Sequence, residues 1–95
     1  MDEMNLMQVE LSQFTRANSR GRPPVRVPSG PGVYVFYMGS QVVYIGMSSD
    51  LARRTQQHWY PRSDVGFFCC DESSARWIEK RLIAKHRPVF NTKGV

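Results

Sequence analysis

Cysteine is nearly absent from this 95-residue chain: there are two, Cys69 and Cys70, side by side. Adjacent cysteines seldom bridge each other, and two ligands do not make a zinc site, so a disulfide framework and a structural zinc centre are both excluded. The pair reads as small buried hydrophobes that alternate across a strand in a reducing compartment. No apolar run approaches the length of a membrane-spanning helix, and no uninterrupted apolar segment follows a basic start. That argues against a membrane and a secretory leader, and for the cytoplasm or a nucleoid within reach of it. Acidic residues are also few, eight against thirteen Lys+Arg, for a net charge of +5. Lysine is scarcer still, because ten of the thirteen cations are arginine. The guanidinium fork matches phosphate geometry, so an arginine-heavy basic chain leans towards a polyanionic partner.

What is present is a single domain's worth of sequence, 41% hydrophobic, with room for a modest core. Its most ordered stretch is Gly32-Val-Tyr-Val-Phe-Tyr-Met-Gly-Ser-Gln-Val-Val-Tyr-Ile-Gly46. Two β-prone runs, 33–38 and 41–46, flank Gly39-Ser40, a pair suited to a two-residue hairpin turn. Tyr34 and Tyr44 sit near the outer ends and are expected as neighbours across the ladder. Two phenols beside two glycines read either as core packing or as a polar pair next to open backbone.

Ahead of the hairpin, Leu6, Met7, Val9, Leu11 and Phe14 recur at helical spacing and predict a short amphipathic helix over about 4–15, for packing or for dimerisation. Residues 16–31 change to Arg, Pro, Gly and Ser and predict an extended connector. Its Arg16, Arg20, Arg22 and Arg26 could follow a phosphate backbone or simply be solvated. The chain thus divides into 1–31, a helix and basic connector, and 32–95.

Beyond the hairpin, Ser49 or Asp50 caps a helix from Leu51 to about Tyr60. Leu51, Arg54, Thr55 and His58 share one of its faces. A buried strand is expected over 65–70, then a capped helix from Ser74 to about Lys85. Ala75, Ile78, Leu82 and Ile83 form the apolar stripe of that last helix, and Glu79 falls on it. A carboxylate buried without a partner costs several kcal/mol. Either a nearby Arg meets it, or it is a single-carboxylate ligand for Mg²⁺, a cation that keeps most of its own waters. Trp59, Tyr60 and Trp77 read as core, with stacking on bases as the alternative.

The order Gly32-Val33-Tyr34, Tyr44-Ile45-Gly46, Arg54, His58, Glu79 and then Pro88 and Asn91 resembles the GIY-YIG nuclease superfamily, found in homing endonucleases, the excision-repair incision subunit, some restriction enzymes and structure-specific resolvases. The resemblance runs from about Gly32 to Asn91. Two departures stand out: Val33 replaces the isoleucine, and the nine residues between Tyr34 and Tyr44 are one or two fewer than usual. Nothing in the sequence resembles the separate DNA-binding domain that many members carry.

The resemblance implies an α+β fold with a three-stranded, mainly antiparallel sheet flanked by helices. It implies phosphodiester hydrolysis in DNA; the sequence itself does not separate DNA from RNA. Tyr34 would position or deprotonate the attacking water, with Tyr44 as its rival and His58 assisting. Arg54 would hold the scissile phosphate. Glu79 would bind one Mg²⁺, for which Mn²⁺ substitutes, and Asn91 would help arrange the phosphate or the metal-side shell. Gly46 and Arg53, with Arg20, Arg22 and Arg26, would contact nucleic acid. Limited surface favours selection of structure or single strands over a long duplex sequence. A second copy or a recruiting protein would dock through residues 1–16. The alternative is a binding module that keeps the fold and does not cut.

Overall fold

The computed structural model describes residues 8–17 and 27–91. Its centre is a four-stranded antiparallel sheet in the order β1-β4-β2-β3, where β1 is Thr15–Ala17, β2 Gly32–Met38, β3 Gln41–Ser48 and β4 Asp64–Cys69. Helix α1 (Leu51–Gln57) follows β3, and α2 (Glu72–His86) follows β4. Short 3-10 turns stand at Leu11–Gln13 and Val89–Asn91. None of these helices is long and apolar enough to cross a membrane.

Two expectations are corrected at the N-terminal side. The described part of the 4–15 segment is not an α-helix: it forms the 3-10 turn and then leads into β1, which pairs Thr15 with Phe67 and Ala17 with Val65. The sheet therefore has four strands, not three, and Arg16 belongs to a strand instead of a connector. The spacing misleads because Val9 and Phe14 do bury, but against the sheet and α2. Arg20, Arg22 and Arg26 lie outside the described residues.

The hairpin turns at Gly39, whose φ of 65° suits the first position of a II′ turn. Its register holds a decisive irregularity. Met38 pairs with Gln41 and Tyr37 with Val42, but Phe36 pairs with Tyr44, so Val43 is an extra residue. A two-residue turn alone would set Tyr34 opposite Ile45, and Tyr44 would project from the other face. Since side chains alternate, one inserted residue reverses the parity of everything beyond it. Val43 and Tyr44 consequently both pack on the α1 side, while Val42 and Ile45 pack on the α2 side. The bulge is what puts Tyr44 on the same face as Tyr34. The two are diagonal neighbours: Tyr34 stands directly opposite Gly46, not Tyr44.

The two faces carry separate cores. Val33, Val35, Tyr37 and Ile45 meet Ala75, Ile78 and Leu82 of α2, with Ile83 at the margin, which bears out the stripe read from the sequence. Tyr34, Phe36, Val43 and Val65 meet Leu51 of α1. Asp50 caps α1 through the Arg53 N–H, and the carbonyls of Gly30 and Pro28 accept from the N–H groups of Leu51 and Ala52. The 27–31 loop thus satisfies backbone donors that a helix start leaves open. Helix α2 begins at Asp71, which accepts from Ser74, and stops at Arg87 in the left-handed region with Pro88 behind it. The cysteine reading is corrected in part. Cys69 is exposed and Cys70 half-buried, with burial and then the charge of Asp71 pushing the Cys70 thiol up to about 11.

Candidate active site

Strand β2 carries Tyr34 under α1, where it is 1% exposed. Arg54, on the face of α1 shared with Leu51, donates from Nε to the Tyr34 hydroxyl at 3.2 Å. Tyr44 also interacts with the guanidinium, which keeps its charge firmly, and the residue is exposed. The helix ends at Gln57 with His58 as its C-cap in extended conformation, so it is shorter than the sequence predicts. That early stop brings His58 Nδ1 to 3.5 Å from the Tyr34 hydroxyl. It also turns the chain so that Tyr60 comes back against His58, with Tyr60 Oη and His58 Nε2 at 3.0 Å. Tyr44 completes the group, its ring 6.0 Å from that of Tyr34 and edge-on to His58 at 4.7 Å.

The result is a continuous chain, Arg54–Tyr34–His58–Tyr60. Burial, above all, raises the Tyr34 phenol well beyond the ordinary tyrosine range, and the Arg54 hydrogen bond offsets this only in part. Tyr34 is therefore a neutral phenol at neutral pH. Burial first, and the Arg54 charge second, hold His58 below its ordinary value of 6.5, so it is a neutral imidazole. One consistent proton arrangement follows: Tyr34 donates to Nδ1, and Nε2–H donates to Tyr60. The cluster's proton acceptor is His58, with Tyr34 as the hydroxyl that connects to it.

Gly46 is buried, and the space a side chain would occupy is filled by Tyr34. A Cβ at this position would lie 2.6 Å from Tyr34 Cζ and Oη and 2.9 Å from the Tyr44 ring. The backbone there is covered, not open to an approaching ligand as the sequence allowed. Gly46→Ala should push Tyr34 off Arg54, lowering activity by about a hundredfold and stability by about 1–3 kcal/mol. Activity and a melting curve measured on the same preparation check this, and wild-type turnover would refute it.

Asn91 is also placed differently from expectation. Strand β3 is an edge, and an edge leaves backbone groups unpaired. The Asn91 side chain accepts from Ile45 N–H at 2.7 Å and donates to Ile45 C=O at 2.9 Å, as a neighbouring strand would. Its amide is committed to holding β3 next to Tyr44 and Gly46, not to a phosphate. Beside it, Phe90 stacks on Tyr60 at 4.5 Å. Phe90 carries no functional signal in the sequence, and Tyr60 reads there as core or as a base-stacking ring, not as a partner of His58. A usable signal was the His58-Trp59-Tyr60 spacing ahead of Pro61, which places 58 and 60 on one side if the chain is extended.

Glu79 lies on α2 at the rim of its buried stripe, and no hydrogen bond joins it to the tyrosine cluster. It is half-buried, and burial raises its carboxyl above the ordinary range, with the Arg76 charge opposing. Among the described residues no ion pair neutralises it. Arg81 and Lys85, on the far rim of the stripe, bind Glu10 at 3.1 and 2.7 Å instead. No cluster of three or more His, Cys, Asp or Glu side chains is found among the described residues. That donor set does not suit zinc, but a lone, uncompensated carboxylate oxygen fits Mg²⁺ with its water shell. Arg53 is exposed on α1, one residue from Arg54. Trp59 and Tyr60 pack at the margin of the α1-side core, whereas Trp77 is not core at all: 65% of it is exposed.

No family model matches the chain. Similar sequences are the UvrABC system protein C of Natronomonas pharaonis, 35% identical over 79 residues covering 70% of this chain, and that of Deinococcus radiodurans, 33% identical over 76 residues covering 68%. The chain spans only 14% and 12% of the lengths of those proteins. Among solved structures, the GIY-YIG N-terminal endonuclease domain of UvrC from Thermotoga maritima, bound to its catalytic magnesium, superposes with a TM-score of 0.63 at 26% identity. That match covers 70% of this chain and 89% of the domain. A tyrosine-to-phenylalanine variant of the same domain gives a TM-score of 0.62 at 26% identity, with the same 70% of this chain covered.

Proposed function

The chain belongs to the GIY-YIG endonuclease superfamily, and from its site we propose that it is a divalent-metal-dependent DNA endonuclease that acts on single-stranded or branched DNA. The observation that carries this reading is the Arg54–Tyr34–His58–Tyr60 chain, which joins a phosphate-binding cation to a neutral base through one hydroxyl.

Arg54 takes the scissile phosphate on its exposed guanidinium while Nε stays on Tyr34, so phosphate and phenol are held in one geometry. The attacking water is oriented between Tyr34 and Tyr44. As it attacks phosphorus, its proton passes to the Tyr34 oxygen while the Tyr34 proton moves to His58 Nδ1. A free phenolate, which burial disfavours, never has to form. The 3.5 Å separation is long for this step and tightens when substrate is bound. Tyr60, stacked on Phe90, accepts from Nε2–H and stabilises the imidazolium. Glu79 is the carboxylate that would hold Mg²⁺, which supplies charge stabilisation at the leaving 3′ oxygen when bound. Exposed Arg53 supports the backbone beside Arg54.

This reading has a definite pH signature. His58 must be neutral to act, and its pKa lies below the ordinary value. Cleavage should therefore rise with pH along a limb centred below 6.5 and be flat through neutrality. A pH–rate profile on labelled branched, single-stranded and duplex DNA with Mg²⁺ checks both the limb and the preferred substrate. His58→Ala should abolish that limb along with most activity. A variant that keeps the wild-type profile would remove His58 from the reaction.

A further inference from the structure

Helix α2 carries its charges asymmetrically. With Ile78 and Leu82 facing the sheet, steps of about 100° per residue set Glu79 at one rim of the buried stripe. Further round come Arg76 and Lys80 on the outer face, and past them, about 160° from Glu79 and one turn before Arg81, Trp77. The opposite rim holds Arg81 and Lys85, both spent on Glu10. Arg76 and Lys80 are exposed and have no ion-pair partner among the described residues. Glu72, one turn before Arg76, forms no ion pair with it. Among the described residues Trp77 is the most exposed of the large hydrophobic side chains, at 65%.

We propose that this arc is a track for single-stranded DNA, in which Trp77 stacks on an unpaired base while Arg76 and Lys80 hold the phosphates leading to Glu79. The inference rests on the endonuclease reading and names the substrate feature that it recognises. A solvated tryptophan beside uncompensated cations is the combination that single-strand platforms use. A protein interface would instead call for adjoining apolar surface, and the helix face around Trp77 offers Ser73, Lys80, Arg81 and Ala84. Charge complementarity therefore selects a polyanion. The geometry also gives unpaired DNA its advantage, because in a duplex the bases are already stacked on each other.

The test uses the full chain with Trp59→Phe, so that Trp77 alone reports. Oligothymidylate should quench its emission, with salt reversing the effect, and equal concentrations of a blunt duplex should quench it less. Trp77→Ala should weaken single-strand binding by about tenfold or more while leaving duplex binding and the melting temperature unchanged. Arg76→Ala and Lys80→Ala should each flatten the salt dependence by about one ion. Unchanged emission at saturating oligonucleotide, or equal affinity in Trp77→Ala, overturns the proposal. So does an emission change that tracks protein concentration without DNA, which would make Trp77 a self-association contact. Quenching without cleavage in any divalent metal would leave the track standing and defeat the endonuclease reading. Cleavage without quenching would do the reverse.

Discussion

Glu79→Gln should eliminate metal-dependent cleavage, by about a thousandfold or more, without destabilising the protein. Glutamine keeps the shape and one carbonyl oxygen but loses the charge that attracts a divalent cation. Charge stabilisation of this kind is worth several kcal/mol in a transition state, and each 1.36 kcal/mol is tenfold in rate. The stability expectation runs the other way. Glu79 is half-buried, disfavoured as an anion, and unpaired among the described residues. Replacing an uncompensated carboxylate removes a cost to folding. The melting temperature should hold or rise while cleavage disappears. Cleavage assays and thermal melts on one preparation read both. A large drop in stability would mean that the carboxylate is a structural partner instead of a ligand.

Arg54→Ala should cost about a hundred- to a thousandfold in cleavage, the usual loss when a preorganised donor to a developing charge is removed. Two further effects distinguish it from a simple loss of binding. Arg54 is one of the two causes that hold His58 low, so its removal should move the acid limb of the residual activity upward, towards 6.5. It also donates to the Tyr34 hydroxyl, so Tyr34 loses its anchor. Lysine at this position restores the charge but neither the Nε bond nor the fork, and should recover little. A lysine variant near wild-type activity would show that a point charge suffices and that the link to Tyr34 is incidental.

The parts of the fold that were legible in the sequence are those written locally. Gly39-Ser40 between two β-prone runs announces the hairpin, and Ala75, Ile78 and Leu82 announce the face of α2. Glu79 was visible as an anomaly because a charge on an apolar stripe needs a reason. The parts that were hidden depend on distant pairings. Val9 and Phe14 have helical spacing, but Thr15–Ala17 is claimed by β4, roughly fifty residues on. The bulge at Val43 leaves no mark in a run of hydrophobic residues, although it decides which face Tyr44 occupies. Tyr60 was concealed by the length assigned to α1: a helix continued to residue 60 points it away, whereas a stop at His58 returns it to the imidazole. The role of Asn91 at the phosphate or metal side came from the resemblance alone, and the edge strand that takes its amide is not apparent until the sheet order is known.

The central claim is that one carboxylate with a divalent cation and one arginine–tyrosine–histidine chain make a nuclease. The most direct test is to incubate the purified chain with end-labelled branched DNA in Mg²⁺, add EDTA midway, and then restore excess Mg²⁺. The account predicts that product accumulates, halts on chelation and resumes on restoration. Cleavage that continues through chelation, or DNA that is bound and left intact in every divalent metal, would contradict it.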